Sequence, residues 1–470
     1  MPRAEQARGA FFSISPYRIL RYNKEMTQVR TRIAPSPTGY LHIGNARTAL
    51  FNFLFARHHK GTFVLRLEDT DKERSKKEYA DDIFDEFSWL GLAGDEIYIQ
   101  TEHVARHRKQ LQKLIDTGKA YVANEPSKED ASRTVEVVRL KNPGTVITFN
   151  DLVRGDITFD TSELKDFVIA RSIDEPLYHF AVVADDGESG ITHVIRGEDH
   201  ISNTPRQILM QEALDLPRPL YAHLPLIMAP DRTKLSKRKH HTSVKSFREE
   251  GFLAPAMVNF MALLGWNPGT PQEIFSMDEL VETFSLNGAQ KGGAIFDIKK
   301  LRWFNKEYLK RVGEEEFNSE VAGRLAHADI PESAIAPRLI TVLRERMEVW
   351  GDIDALLGES GELRFVVEGP KLDASKIPWR GEGMPDAHLH LTQIHKLLAN
   401  TGNDVFTNAE AIKMLLWSYA DEHGRGSVLW PLRYALTGQD KSPDPFTVAH
   451  ILGREESIRR IEAALGILSE

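Results

Sequence analysis

The sequence predicts an α/β fold: a parallel sheet with helices, interrupted by an α+β insertion and followed by an all-α C-terminal half. Three observations predict it. A strand, a helix and a second strand follow one another between Val29 and Leu67, the spacing of a βαβ unit whose right-handed crossover makes the two strands parallel. Strand-like stretches return at Val146–Phe159 and Val168–Ser172, which form a separate insertion, and at Ile191–Arg196. From about Glu314 onward the pattern changes to amphipathic helices, and strand signals nearly vanish.

The first strand covers Val29–Ala34, and Pro35-Ser36-Pro37-Thr38-Gly39 breaks it. A helix is expected from Gly44 or Asn45 to about His58. Leu50, Phe53 and Leu54 recur at helical spacing with Phe51 and Phe55 beside them, so most of its circumference should be buried. Gly61 ends it, and Phe63–Leu67 is the next strand. Residues from about Ala80 to Gly118 read as helices. In the C-terminal half, Pro337–Leu357 and Ala409–Tyr419 are expected helices, and Gly358–Asp373, with Pro370, reads as a linker.

The composition bounds the chemistry. The 470 residues are 41% hydrophobic and 27% charged, a globular composition too long for one core, so about two to four domains are expected. No apolar run approaches the roughly 18 residues that cross a bilayer, and no membrane partner is expected. There is no cysteine, which excludes disulfides and thiolate zinc sites and fits a reducing cytoplasm. The net charge of −8 does not suggest a nucleic-acid coat, but a local basic surface would suffice for one. Residues 1–26 carry Arg3, Arg8, Arg18 and Arg21 among Phe11, Phe12, Tyr17 and Tyr22. They read as a disordered extension, or as the result of a start assigned upstream of Met26; a transit peptide fits less well beside Glu5 and Glu25.

Two short motifs carry chemistry. His42-Ile43-Gly44-Asn45 sits at the head of the buried helix. A strand-to-helix turn gathers N–H groups and the positive helix end, a place for phosphate. His42 can donate to a phosphate oxygen there, and Gly44 leaves room for a nucleotide ring. The second motif, Lys234-Leu235-Ser236-Lys237-Arg238, is a basic loop able to neutralise charge developing on a triphosphate. Alone, the histidine could be a helix cap and the lysines a solvated face; the two motifs in this order carry the argument.

Together they resemble the two signatures of class I aminoacyl-tRNA synthetases. Arg32–Gly39, Leu65–Asp71, Val194–His200 and Leu264-Gly265-Trp266 resemble the bacterial-type glutamyl enzymes of that class, and the similarity runs from about Thr31 to Leu468. The resemblance implies a Rossmann-like catalytic domain in two halves, 27–107 and 193–240. Around them it implies an acceptor-stem-binding insertion at 108–192, a stem-contact domain at 241–312 and a helical anticodon-binding domain at 313–470. It implies ATP with Mg2+ as a substrate complex, and glutamate and tRNA(Glu) as partners. Whether tRNA(Gln) is also charged stays open, and the expected state is a cytoplasmic monomer.

Residue by residue, the resemblance implies that Arg32 and Arg196 surround the glutamate side chain, with the Tyr178 hydroxyl in the same pocket. Glu68 would hold the α-ammonium, with Ser36 nearby. Thr38, His42, Gly44 and Asn45 would line the ATP site with Lys234, Ser236 and Lys237; His42, Lys234 and Lys237 would be catalytic. A fork of guanidinium on carboxylate is a contact no amide can match. Outside the motif context, Arg32 and Glu68 would read as a structural salt bridge.

Some relatives bind zinc just after the position of Tyr121. Here Val122-Ala123-Asn124-Glu125-Pro126 follows, so no structural zinc, and no metal ligand at all, is expected. His240-His241 and His388, His390 and His395 read as surface or packing residues. Arg344 and Arg346 are candidate anticodon readers. The alternatives are a tRNA-modifying glutamyl transferase, which lacks the helical half; glutaminyl-tRNA synthetase, which carries β-barrels there; and a non-catalytic tRNA-binding paralogue, against which His42, Glu68, Lys234 and Lys237 argue.

Overall fold

A computed structural model describes residues 28–127, 132–233, 235, 242–327 and 337–469. The expectations for residues 1–26, for Lys234, Ser236 and Lys237, and for His240-His241 lie outside the described residues.

Strand β1 (Arg30–Ile33) leads through the proline-rich turn into helix α1 (Ile43–His58) and then β2 (Thr62–Leu67), which pairs parallel to β1 with Arg32 opposite Val64. Helix α1 is buried nearly all round, through Ile43, Leu50, Phe51 and Leu54 among others. Gly61 does not end α1 by its own conformation. The left-handed residue is Lys60, at φ 52°. Gly61 is needed because a Cβ there would lie 2.2 Å from the Val29 carbonyl oxygen.

The stretch expected to be helical throughout holds α2 (Lys77–Trp89), strand β3 (Glu96–Ile99) and α3 (Val104–Asp116). β3 pairs parallel to β2. It was illegible because it is a four-residue edge strand with Glu96 and Ile97 exposed, so it lacks an apolar run. Its fixing is tertiary: Arg30 forks onto Glu96 at 3.0 and 2.7 Å.

Strands β4 (Ala120–Pro126), β5 (Thr134–Leu140), β8 (Phe167–Ser172) and β9 (Glu175–Pro176) form one antiparallel sheet in that order. The stretch Val146–Phe159 is a hairpin of β6 (Val146–Asp151) and β7 (Gly155–Asp160). Gly155, at φ +86°, turns it. Helix α4 (Tyr178–Glu188), β10 (His193–Gly197), α5 (Thr204–Leu214) and β11 (Leu220–Leu224) follow. β10 and β11 pair in parallel, and β6 joins β11 through Asp151 opposite Tyr221. The hairpin thus extends the sheet of β10 and β11. β10 lies against β1, where the Thr192 N–H donates to the Arg30 carbonyl at 3.0 Å.

The chain divides into two compact units, one reaching Arg248 and including Ala254–Phe304, the other made of Glu249–Leu253 and the residues from Asn305 onward. Among its described residues the second unit has helices and no strand. Phe317, Leu343, Leu391, Leu416, Leu432 and Ile461 are in its core. Pro337–Leu357 is two helices rather than one, Pro337–Arg346 and Asp352–Leu357. They part where the Asp352 carboxylate accepts from the N–H groups of Glu348 and Val349 at 2.7 and 3.0 Å, a local competitor to the helical ladder. Gly358–Asp373 is not a loose linker either: Leu363 and Phe365 are buried in the same core, and Arg460 donates to the Phe365 carbonyl at 3.1 Å.

Candidate active site

The proline-rich turn is laced to its surroundings by backbone bonds. Thr38 N–H donates to Ser36 C=O at 2.8 Å, Glu68 N–H to Pro35 C=O at 3.0 Å and Lys76 N–H to Pro37 C=O at 3.1 Å. Ser36 and Thr38 are exposed on this turn, and Asn45 is exposed in the first turn of α1. His42 caps α1, its Nδ1 accepting from the Gly44 N–H at 2.9 Å, which leaves the neutral imidazole's proton on Nε2 as a donor. A Cβ on Gly44 would lie 3.1 Å from His42 Nδ1. Gly44 is therefore small first for the sake of this cap.

The chain beyond the basic loop returns to the same turn. Ile43 N–H donates to Thr242 C=O and Val244 N–H to Leu41 C=O, both at 2.9 Å. Within the loop, Leu235 is buried and its N–H donates to Ile227 C=O at 3.1 Å. Arg47 braces α1 from behind, donating to Pro225 C=O at 2.7 Å and to Leu264 C=O at 3.3 Å, beside Gly265.

The parallel strands end at one edge, where such sheets collect ligands, and there the charged side chains meet. Arg32 leaves β1 and forks onto Asp186 of α4 at 3.1 and 3.4 Å. Arg66 of β2 reaches the same Asp186 at 2.6 Å and Glu68 at 3.2 Å. All four side chains are at most 6% exposed. Burial pushes the Glu68 carboxyl up to about 7, against the pull of Arg66 and Arg32. Burial works on Asp186 the same way, but Arg32 and Arg66 outweigh it and hold that carboxyl below its usual value. The neighbouring Asp185 turns to other partners, the Tyr98 hydroxyl, Gln100 and His107, at 2.9, 2.7 and 2.6 Å.

Arg196 of β10 is buried too but differently met. Its Nε donates to His223 Nε2 at 3.1 Å, and its Nη2 donates to Thr204 Oγ1 at 2.8 Å and to His200 C=O at 3.4 Å. Among the described residues no carboxylate pairs with it, and Nη1 makes no hydrogen bond. Burial pulls its pKa below the usual arginine value. Tyr178 opens α4 and is exposed as a residue. Its hydroxyl is nevertheless pushed up to about 12, first by desolvation and then by Glu68, which places it in the field of the same cluster.

The structure thus brings Arg32, Glu68, Tyr178 and Arg196 together, and sets Ser36, Thr38, His42, Gly44 and Asn45 on the adjoining turn. Arg66 and Asp186 bond within the Arg32–Glu68 cluster, and Asp151, Thr204 and His223 within the set that holds Arg196; all five were passed over in the sequence. Two of them left a signal. Arg66 interrupts the apolar strand Phe63–Leu67, and Asp186 closes the buried run from Phe180; a charge inside such a run demands a buried partner.

Elsewhere, Arg344 lies over the Phe317 ring at 4.3 Å and donates to Val312 C=O at 3.1 Å, and Arg346 pairs with Glu362. His390 meets the Tyr419 hydroxyl at 2.9 Å, His395 meets Glu462 at 2.9 Å and His388 meets Ser469 at 3.4 Å, three separate sets of partners. After Tyr121 the chain is strand β4, held by Tyr121 on Asp166 at 3.0 Å and by Arg139 on Glu125.

Comparison with known proteins covers most of the chain. Residues 28–133 and 124–303 match the family model of class I tRNA synthetases (E and Q), catalytic domain, and residues 294–465 match that of an anticodon binding domain. The glutamate–tRNA ligase of Carboxydothermus hydrogenoformans is 39% identical, over 92% of this chain and 99% of its own. That of Xanthomonas axonopodis pv. citri is 40% identical, over 93% and 98%. The crystal structure of a glutamate tRNA ligase from Elizabethkingia meningosepticum in complex with its amino acid superposes with a TM-score of 0.80 at 31% identity, covering 93% of this chain and 99% of that one. With catalytic and anticodon-binding models matched in succession and such relatives aligned nearly end to end, the chain belongs to the glutamate–tRNA ligase family of class I tRNA synthetases.

Proposed function

We propose that the protein activates glutamate with ATP and transfers it to the 3′ end of tRNA(Glu), and that its site residues act as follows. Arg196, with Arg32 and the Tyr178 hydroxyl, receives the glutamate side chain. Glu68, with Ser36 beside it, holds the α-ammonium. Thr38, His42, Gly44 and Asn45 line the ATP site, and Lys234, Ser236 and Lys237 meet the phosphates, which arrive with Mg2+. The α-carboxylate attacks the α-phosphorus, and the P–O bond to pyrophosphate breaks. The terminal ribose 2′-hydroxyl then attacks the acyl carbon of the adenylate, and AMP leaves. No protein nucleophile is needed; positioning and charge neutralisation supply the rate. We place the acceptor stem on 108–192 and 241–312 and the anticodon on 313–470. A cytoplasmic monomer that charges tRNA(Glu), with tRNA(Gln) as a second acceptor to be tested, completes the reading.

The observation that carries it is the buried Arg196 guanidinium, which pairs with no carboxylate among the described residues. A cation removed from water asks for an anion, and a carboxylate side chain provides it. The test is ATP–pyrophosphate exchange with tRNA present, glutamate against glutamine and aspartate. Exchange that is absent, or indifferent to the amino acid, would sink the proposal. Acylation of purified tRNA isoacceptors decides between tRNA(Glu) alone and both.

Two predictions arise here. Lys237→Ala should lower the exchange kcat about a hundredfold, the scale for one preorganised charge at a developing anion, with the unfolding midpoint unchanged. An effect confined to tRNA affinity would remove Lys237 from the phosphate site. The second concerns pH. Burial pushes the Glu68 carboxyl up to about 7, and it must be ionised to hold an ammonium. Protonation rises as pH falls, so kcat/KM for glutamate should drop below about pH 7, by up to about tenfold per unit. Bound ammonium favours the carboxylate, so kcat should stay flatter. A flat kcat/KM between about pH 6 and 8 would take the ammonium away from Glu68.

A further inference from the structure

Arg196 is held by a chain of groups that begins in the β6–β7 hairpin. Asp151 closes β6. Its Oδ1 accepts from the N–H groups of Val153 and Arg154 at 3.0 and 2.9 Å and so shapes the hairpin turn. Its Oδ2 meets His223 Nδ1 of β11 at 2.6 Å and the His223 N–H at 3.1 Å. Neither side chain has any exposed surface. With Nδ1 donating to a carboxylate, the imidazole proton is committed there and Nε2 becomes an acceptor. That nitrogen faces Arg196 Nε at 3.1 Å and Thr204 Oγ1 at 3.2 Å. Thr204 Oγ1 in turn accepts from Arg196 Nη2 at 2.8 Å.

The contrast with the neighbouring arginines is chemical. Arg32 and Arg66 are answered by the carboxylates of Asp186 and Glu68. Arg196 is answered by an imidazole nitrogen, a hydroxyl and a carbonyl, all neutral acceptors. These fix the guanidinium plane and occupy Nε and Nη2 without cancelling the charge. A carboxylate in the place of His223 would fix the plane equally well and neutralise it. Burial keeps His223 neutral, pulling its pKa below the usual histidine value although Asp151 works the other way.

We propose that Asp151 and His223 are positioning residues that orient Arg196 through neutral acceptors, so that its full charge is kept for the carboxylate side chain of the substrate. The proposal rests on the assignment of Arg196 to that side chain. It makes the hairpin part of amino-acid selection, because Asp151 is also the residue through which β6 joins β11.

The test uses the full-length protein with tRNA, glutamate and glutamine as alternative substrates, and three substitutions. Asp151→Asn preserves an oxygen for the turn but sets an amide N–H against His223 Nδ1. The imidazole proton then moves to Nε2 and opposes the Arg196 Nε–H, the same logic by which an aspartate sets a histidine tautomer in hydrolytic triads. His223→Asn reaches only the Asp151 side, whereas His223→Gln carries an amide oxygen to about the place of Nε2. Asp151→Asn and His223→Asn should raise KM for glutamate about tenfold or more, the scale on which an orienting partner acts. The kcat and the KM for ATP should hold within about twofold, and the preference for glutamate over glutamine should narrow. His223→Gln should recover part of both losses.

Thermal unfolding and circular dichroism identify the folded variants. Equal losses for the two amino acids, a raised KM for ATP, or unchanged KM for glutamate in the folded variants would overturn the relay. If Arg196→Gln raises KM while these variants do not, the relay fails and the assignment of Arg196 stands. If Arg196→Gln leaves glutamate use unchanged, the assignment itself fails.

Discussion

Arg196→Gln is expected to lower kcat/KM for glutamate by about 2–5 kcal/mol, the range for removing one partner of a buried, hydrogen-bonded charge pair, or roughly thirtyfold to several thousandfold. The substrate brings a negative charge into a site where Arg32 already shares Asp186 with Arg66. Without Arg196 that charge is left with an arginine whose own charge is largely answered. Glutamine brings no charge and should lose much less, so discrimination between the two should narrow. Efficient use of glutamine is not expected, because Arg32 and Tyr178 remain. The measurement is tRNA-dependent activation with each amino acid; an equal loss for both, or none for either, would mean that Arg196 does not read the side chain.

Asp186→Ala is expected to cost stability rather than selectivity first. It strips Arg32 and Arg66 of the carboxylate they share, at side-chain exposures of 5% and 1%. Breaking a buried pair from one side typically costs about 3–5 kcal/mol, because the remaining charge stays buried. Arg66 keeps Glu68, which sets the expectation toward the lower end. The transition of the unit containing the sheet should move down by several degrees. The pH dependence has a defined sign. Burial raises the Asp186 pKa, but Arg32 and Arg66 outweigh it, so folding lowers it overall. Its contribution is therefore present above the unfolded pKa and lost as pH falls through the folded one, so wild type and variant should converge in acid. Identical unfolding at neutral pH would show that the two arginines find water or other partners without the aspartate.

What could be read from the sequence was local. The strand–helix–strand from Arg30 to Leu67, the turn that places His42 at the head of α1, and the later helical half all follow from spacing, punctuation and periodicity. Most candidate site residues were picked out in the same way, because Arg32, His42, Glu68 and Arg196 each sit in a short motif. The chemical classes excluded by the absence of cysteine were equally plain. These features depend on neighbours within a few residues, which one chain displays directly.

Tertiary structure decided the rest. Nothing near Glu96 announces a strand; the edge of β2 makes it one, and Arg30, 66 residues away, fixes it. Arg32 and Arg196 look alike in sequence, two arginines toward the ends of parallel strands. They differ because Asp186 lies against one, 154 residues distant, and His223 against the other. Which of them keeps an unanswered charge is set by which acceptor the sheet order brings alongside. Sequence periodicity reports which residues are buried. The electrostatics of a buried site depend on what they are buried beside, and that is a property of the folded sheet.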